Sequence, residues 1–210
     1  MKNLDETAEK IRTILEKRNR ARDAAYERSR RLISLCARTI RAVHRDEWEN
    51  AETLLAETKE AAETLTAGVD GFPFLYHAGY TQDALKEYVE ANLTYALVRN
   101  RPLLSFEELD VQPQTWLNGL AEAATALRRR ILDIIRPGHS DEAERLLGAM
   151  DSIYSTLVTF DFNDSISGGL RRRTDTVRAV LERTRGDITT SLRQSQLEQA
   201  LAALEAKVKD

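Results

Sequence analysis

Cysteine occurs once among the 210 residues, at Cys36, so no intrachain disulfide can form. Its neighbours Leu32, Leu35 and Ile40 make it a buried thiol, suited to a reducing compartment. Proline occurs four times and glycine nine, which leaves long stretches without a helix breaker. Aromatic residues make up 6% of the chain, and Trp48 and Trp116 fall at spacings suited to helix packing. There is no uninterrupted apolar run long enough to span a bilayer. The first segment, MKNLDETAEKIRTILEK, mixes charged and apolar residues at helical spacing, unlike a secretory signal. A soluble, cytoplasmic protein with no membrane partner is expected.

The prolines mark the breaks: Pro73 in AGVDGFPFLYHAGY, Pro102 in RNRPLLSF, Pro113 in LDVQPQTW and Pro137 in IRPGHSDE. Between them apolar residues recur three and four apart. Leu32, Cys36, Ile40 and Val43 form one stripe. Leu117, Leu120, Ala124, Leu127, Ile131 and Ile135 form a second, and Leu146, Leu147, Met150, Ile153, Tyr154 and Leu157 a third. Ser140 and Asp141 supply an N-cap and negative charge before that third stripe. The pattern predicts an all-α bundle of about six or seven helices in one domain, 1–210. The helices run over roughly 3–45, 46–66, 80–100, 112–136, 140–159 and 165–206, the last with room for a bend at Gly186. Gly168-Gly169 reads as a turn.

A net charge of −3 argues against a nucleic-acid partner, but the charge is unevenly placed. Met1 to Arg45 holds 13 basic residues against 6 acidic ones, and Asp46 to Asp70 holds 1 against 8. Arg31, Ser34, Arg38, Arg41 and Arg45 follow one another at intervals of three and four, so they line one face of the first helix. Such a strip suits the phosphates of a single strand. The clusters Arg128-Arg129-Arg130 and Arg171-Arg172-Arg173 add cationic surface, and arginine matches phosphate with two parallel donors.

In KEYVEAN, Glu87 and Glu90 stand three apart on the flank of an apolar stripe. Glu122 lies off the stripe of its own helix, on a face shared with Arg129 and Asp133, so carboxylates from two helices could converge. Hard oxygen ligands of this kind suit Mg²⁺ or Mn²⁺, which can activate water against a phosphodiester. Glu-x-x-Glu is also common on solvated helices, so the spacing alone does not separate a site from a surface. His44, His77 and His139 lack the spacing of di-iron bundles, and no zinc, P-loop or dinucleotide motif is present.

Four segments in order resemble the translin family, and its translin-associated factor X branch more closely than translin itself. ERSRRLISLCARTIRAVHR is similar to the branch's first helix, and LKEYVEANLTYALVRNRPLLSFEEL to the segment with its paired glutamates. WLNGLAEAATALRRRILDIIRPGHSDEAERLLGAMDSIYSTLVTFDF resembles the central glycine-containing helix and the one after it, and ISGGLRRRTDTVRAVLERTRGDI the C-terminal helix. The resemblance implies an archaeal-type protein of all-α subunits that form a hollow homo-octamer and bind single-stranded RNA or single-stranded DNA inside. It implies Mg²⁺- or Mn²⁺-dependent endoribonuclease activity, with Glu87, Glu90 and Glu122 as metal-holding catalytic residues. Arg31, Arg38, Arg41, Arg45 and Arg129 are the nucleic-acid-binding residues. Ala126 stands where the branch has a fourth acid, which leaves a non-catalytic, translin-like binding protein as the alternative.

Overall fold

A computed structural model describes residues 3–209. Its first helix, α1, spans Leu4–His44 with no glycine or proline inside it. Asp5 and Glu6 in its first turn and Arg41 in its last match the helix dipole at both ends. Asp46, with φ 59, then turns the chain in the left-handed region, which aspartate tolerates better than most residues. Helix α2 (Trp48–Gly68) returns along α1. Gly71 (φ 75) and Pro73 introduce α3 (Pro73–Tyr76), a single turn that the sequence pattern placed in a break. Proline at a first helical position sacrifices no hydrogen bond, so it starts this turn instead of preventing it.

Helix α4 (Gly79–Val98) is the most enclosed element, packed between α1 and α5. It ends where Asn100 takes φ 52 ahead of Pro102. The following loop is pinned by Trp116, whose indole Nε1 donates to the Leu104 carbonyl at 2.9 Å. Helix α5 (Pro113–Ile135) again starts on proline and buries Leu120, Ala124, Leu127 and Ile131, as its apolar stripe requires. Each leucine so enclosed stabilises the fold by about 1.5–3 kcal/mol. Helix α6 (Asp141–Leu157) begins with Ser140 as N-cap, its Oγ accepting from the Glu142 amide at 3.2 Å.

The last predicted helix is divided. One turn, α7 (Asp164–Ser167), stops at Gly168 and Gly169, whose φ values of 64 and 79 lie in the left-handed region. Helix α8 (Leu170–Lys209) then runs helically through Gly186. The described residues thus form eight helices and no strands, and the buried side chains make one contiguous core. No described helix is long and apolar enough to cross a membrane.

Both long helices outrun that core. Burial in α1 begins at Ala25, leaving Leu4, Ile11, Ile14 and Leu15 exposed. Beyond Ile188, α8 exposes Leu197, Leu201, Leu204 and Val208, spaced four, three and four apart. Each stripe has the spacing of a helix-pairing seam, yet neither is covered by the protomer.

Candidate metal and nucleic-acid site

Helices α4 and α5 touch through a glycine. A Cβ at Gly119 would lie 2.6 Å from both Cβ and Cγ1 of Val89 and 3.0 Å from the Lys86 carbonyl oxygen. Only the missing side chain lets the two helices lie this close. One turn beyond Gly119, Glu122 meets Glu87 and Glu90 of α4. One carboxylate oxygen from each of the three lies within 4.8 Å of the others, and all three residues are half-buried. Neighbouring oxygens on a Mg²⁺ ion lie about 3 Å apart, so the three carboxylates would have to close inward to share one ion. The donors are hard oxygens throughout, and the residues fit the group.

Two cations complete the cluster. Lys86 Nζ donates to Glu122 Oε1 and Oε2 at 2.7 and 2.6 Å and lies 3.2 Å from Glu87 Oε1, with its side chain only 12% exposed. Arg173 of α8 donates from Nε to Glu122 Oε1 at 3.0 Å and from Nη1 to Asn118 Oδ1 and the Gly168 carbonyl, both at 3.1 Å. Burial, with the charges of Glu87 and Glu122 beside it, pushes the Glu90 carboxyl up to about 8. At neutral pH this favours the protonated form of Glu90. Burial pulls the Lys86 ammonium down, but Glu122 and Glu87 outweigh it and hold its pKa above the ordinary value. Burial, reinforced by Glu87 and Glu90, also raises the Cys36 thiol, which is inert in the core wall behind the carboxylates.

The arginines divide into two groups. Arg38 and Arg41 are exposed, with no carboxylate within ion-pair distance among the described residues. Arg31 is also exposed but shares a cleft with Glu57 and Glu60 of α2, and Arg45 lies 3.9 Å from Glu47. At about 100° per residue, Arg38 and Arg41 stand roughly 200° and 140° around α1 from Cys36, which faces the carboxylates. Within one protomer, then, the strip and the acid cluster do not share a face. Arg129 does: it follows Glu122 by two turns on the same side of α5 and is exposed. It also approaches His44, whose pKa is lowered first by burial and then by Arg129.

Lys86 and Arg173 were not singled out by the sequence pattern. Lys86 adjoins Glu87 in KEYVEAN, so its proximity to one acid was visible, but its grip on Glu122, 36 residues away, was not. Arg173 belongs to a triplet that reads as surface, and Arg171 does pair with the exposed Asp161. The double-glycine turn instead sets Arg173 at the first turn of α8, facing α5.

No protein-family model matches the chain. An uncharacterized protein of Methanocaldococcus jannaschii is 30% identical over 189 residues, which make up 89% of this chain and 83% of that protein. AfC3PO in its duplex RNA complex is similar at a TM-score of 0.83 and 31% identity, over 91% of this chain and 98% of its own. The crystal structure of AfC3PO gives the same score and identity, over 91% and 99%. Apo-NeC3PO, at 0.76 and 24% over 91% and 98%, shares the fold. Similarity at this level over nearly the whole chain accompanies the four ordered segments and the helical bundle they predict, and the chain belongs to the translin family.

Proposed function

We propose that this chain is an RNA-binding subunit of a self-assembled, Mg²⁺- or Mn²⁺-dependent endoribonuclease. The observation that carries the reading is the convergence of the half-buried Glu87, Glu90 and Glu122 from two helices within 4.8 Å of one another. The AfC3PO structure with duplex RNA supports an RNA ligand, and strandedness is an experimental variable here. Glu87, Glu90 and Glu122 would hold the ion. Bound there, the ion would lower the pKa of a water and offset charge on the scissile phosphate. The protein's own part is to fix the three carboxylates on rigid helices, with Arg129 on the same face to hold a flanking phosphate. Hydrolysis joins the water oxygen to phosphorus, breaks one P–O ester bond, and delivers a proton to the leaving oxygen.

The test is cleavage of 5′-labelled single-stranded and duplex RNA with Mg²⁺, with EDTA, and by Glu87→Gln/Glu90→Gln protein of unchanged oligomeric state. Metal-dependent cutting that the double variant loses while still binding RNA supports the nuclease. Binding without cutting by the wild type sinks it and leaves the non-cutting RNA-binding protein. Two observations favour that second reading: Ala126 offers no fourth carboxylate, and Lys86 already occupies both oxygens of Glu122.

The arginine strip would track the RNA backbone. Replacing Arg38 and Arg41 by alanine should weaken binding to a labelled single strand by about 10-fold at low salt. The slope of log affinity against log salt should fall by about 1.4, at roughly 0.7 for each lost phosphate contact. An unchanged slope in fluorescence anisotropy would remove both residues from the interface.

Self-association is supported by the two uncovered stripes on α1 and α8. Light scattering should show an oligomer for the wild type and smaller species for Leu201→Lys/Leu204→Lys, because charge introduced into an apolar seam goes unpaired when buried. Identical masses would exclude the α8 stripe from the interface.

A further inference from the structure

A cleft of about 300 Å³ lies beside the carboxylate cluster, with Lys86 and Arg173 in the wall between them. Its remaining wall holds the exposed carboxylate of Asp83 and two buried polar groups: Thr115 Oγ1 donates to Gln82 Oε1 at 2.6 Å, and Asn118 Nδ2 donates to the Ser167 carbonyl at 2.8 Å. The side-chain amide of Gln114 and the imidazole of His77 also line it, and neither hydrogen-bonds to another described side chain. The volume is at the low end of small-molecule sites and admits one nucleotide unit but not a stacked pair. The amide and imidazole offer both donors and acceptors to a base edge.

Building on the metal reading above, we propose that this cleft is a nucleotide subsite in which a divalent ion and a nucleotide phosphate exchange partners around Glu122. Lys86 and Arg173 now occupy the oxygens of Glu122 that an ion would need. An ion that draws Glu122 and Glu87 to itself takes both carboxylates from Lys86 and leaves Arg173 only the neutral oxygens of Asn118 and Gly168, which is costly for half-buried cations unless an anion arrives. The cleft on their other side is where a phosphate can meet both. Each ligand thus removes an obstacle to the other, and linkage requires the two effects to be equal.

Mn²⁺ and adenosine 5′-monophosphate are the probes, titrated calorimetrically into the full chain in its native assembly, each with and without the other. Each should tighten the other by about 5-fold or more. Lys86→Met should bind Mn²⁺ alone about 10-fold more tightly, having lost a competing cation, and should lose most of the coupling. Lys86→Arg, which keeps the charge, should retain the coupling. Gln114→Leu should weaken the nucleotide by about 5-fold. Mn²⁺ also binds nucleotide phosphate directly, so coupling that persists in folded Lys86→Met protein would overturn the exchange. Wild-type protein that binds Mn²⁺ without coupling, or Gln114→Leu with unchanged nucleotide affinity, would overturn the subsite while sparing the metal site. Wild-type protein that binds no Mn²⁺ would overturn the metal reading itself.

Discussion

Glu90→Gln should stabilise the folded chain above neutral pH while abolishing metal-dependent cleavage. The Glu90 carboxyl is pushed from its ordinary 4.5 to about 8, first by burial and then by the charges of Glu87 and Glu122. Below pH 4.5 both folded and unfolded chains carry the proton, and the contribution of this group to stability is complete. Between the two values the unfolded chain releases the proton and the folded chain keeps it, so stability falls as pH rises and is fully lost above the folded value. Glutamine is close in shape to the protonated acid and cannot ionise. The variant's Tm should match wild type near pH 4.5 and exceed it by several degrees above pH 8, with most of the slope between removed. Cleavage should fall by about 10²-fold or more, because an amide is a poor ligand for a hard cation. A thermal melt series across pH, alongside single-turnover cleavage, checks both parts. If Glu90→Gln is less stable than wild type at pH 9, Glu90 is an ordinary ionised acid, and the acidic cluster is less closely coupled than its geometry indicates.

Gly119→Ala and Gly148→Ala should have opposite signs. Both glycines lie inside helices, where alanine is normally favoured by about 1 kcal/mol. Around Gly148 nothing lies within 4 Å of an added Cβ, so the propensity gain should appear as a small rise in Tm. At Gly119 the new atom would strike Val89 Cβ and Cγ1 at 2.6 Å and the Lys86 carbonyl at 3.0 Å. Val89 is β-branched and stiff, and the carbonyl belongs to the α4 backbone, so neither neighbour can swing aside. Overpacking costs of about 1–3 kcal/mol outweigh the propensity gain, and Tm should fall by several degrees. The displacement also moves Glu122 away from α4, and Mn²⁺ affinity should drop with it. Val89→Ala in the same chain should recover part of both losses, a coupling that two independent defects would not show. A Gly119→Ala protein with undiminished Tm would mean that the α4–α5 contact is looser than its geometry indicates.

Much of this protein was legible before any coordinates. The scarcity of proline and glycine, with apolar residues three and four apart, placed every long helix, and the Ser140 cap was as expected. The short helix α3 was missed because one turn carries too little periodicity to stand out from a break, and α7 was joined with α8 into one predicted helix across the Gly168-Gly169 turn. The flank position of Glu87, Glu90 and Glu122 was also readable, since helical spacing fixes the angle of each side chain about its own axis. Spacing cannot fix how two helices cross. That crossing rests on Gly119 meeting Val89, and it decides that three acids converge and that Lys86 reaches Glu122, while the Gly168-Gly169 turn decides that Arg173 faces inward from a triplet resembling solvent-facing charge. Burial shared by several helices, which no single segment encodes, also holds a proton on Glu90. The sequence by itself determined which residues stand on which face of each helix, because that is a property of 3.6-residue periodicity. Only the tertiary structure decided which faces meet, because charge neutralisation and close packing depend on distances between segments far apart along the chain.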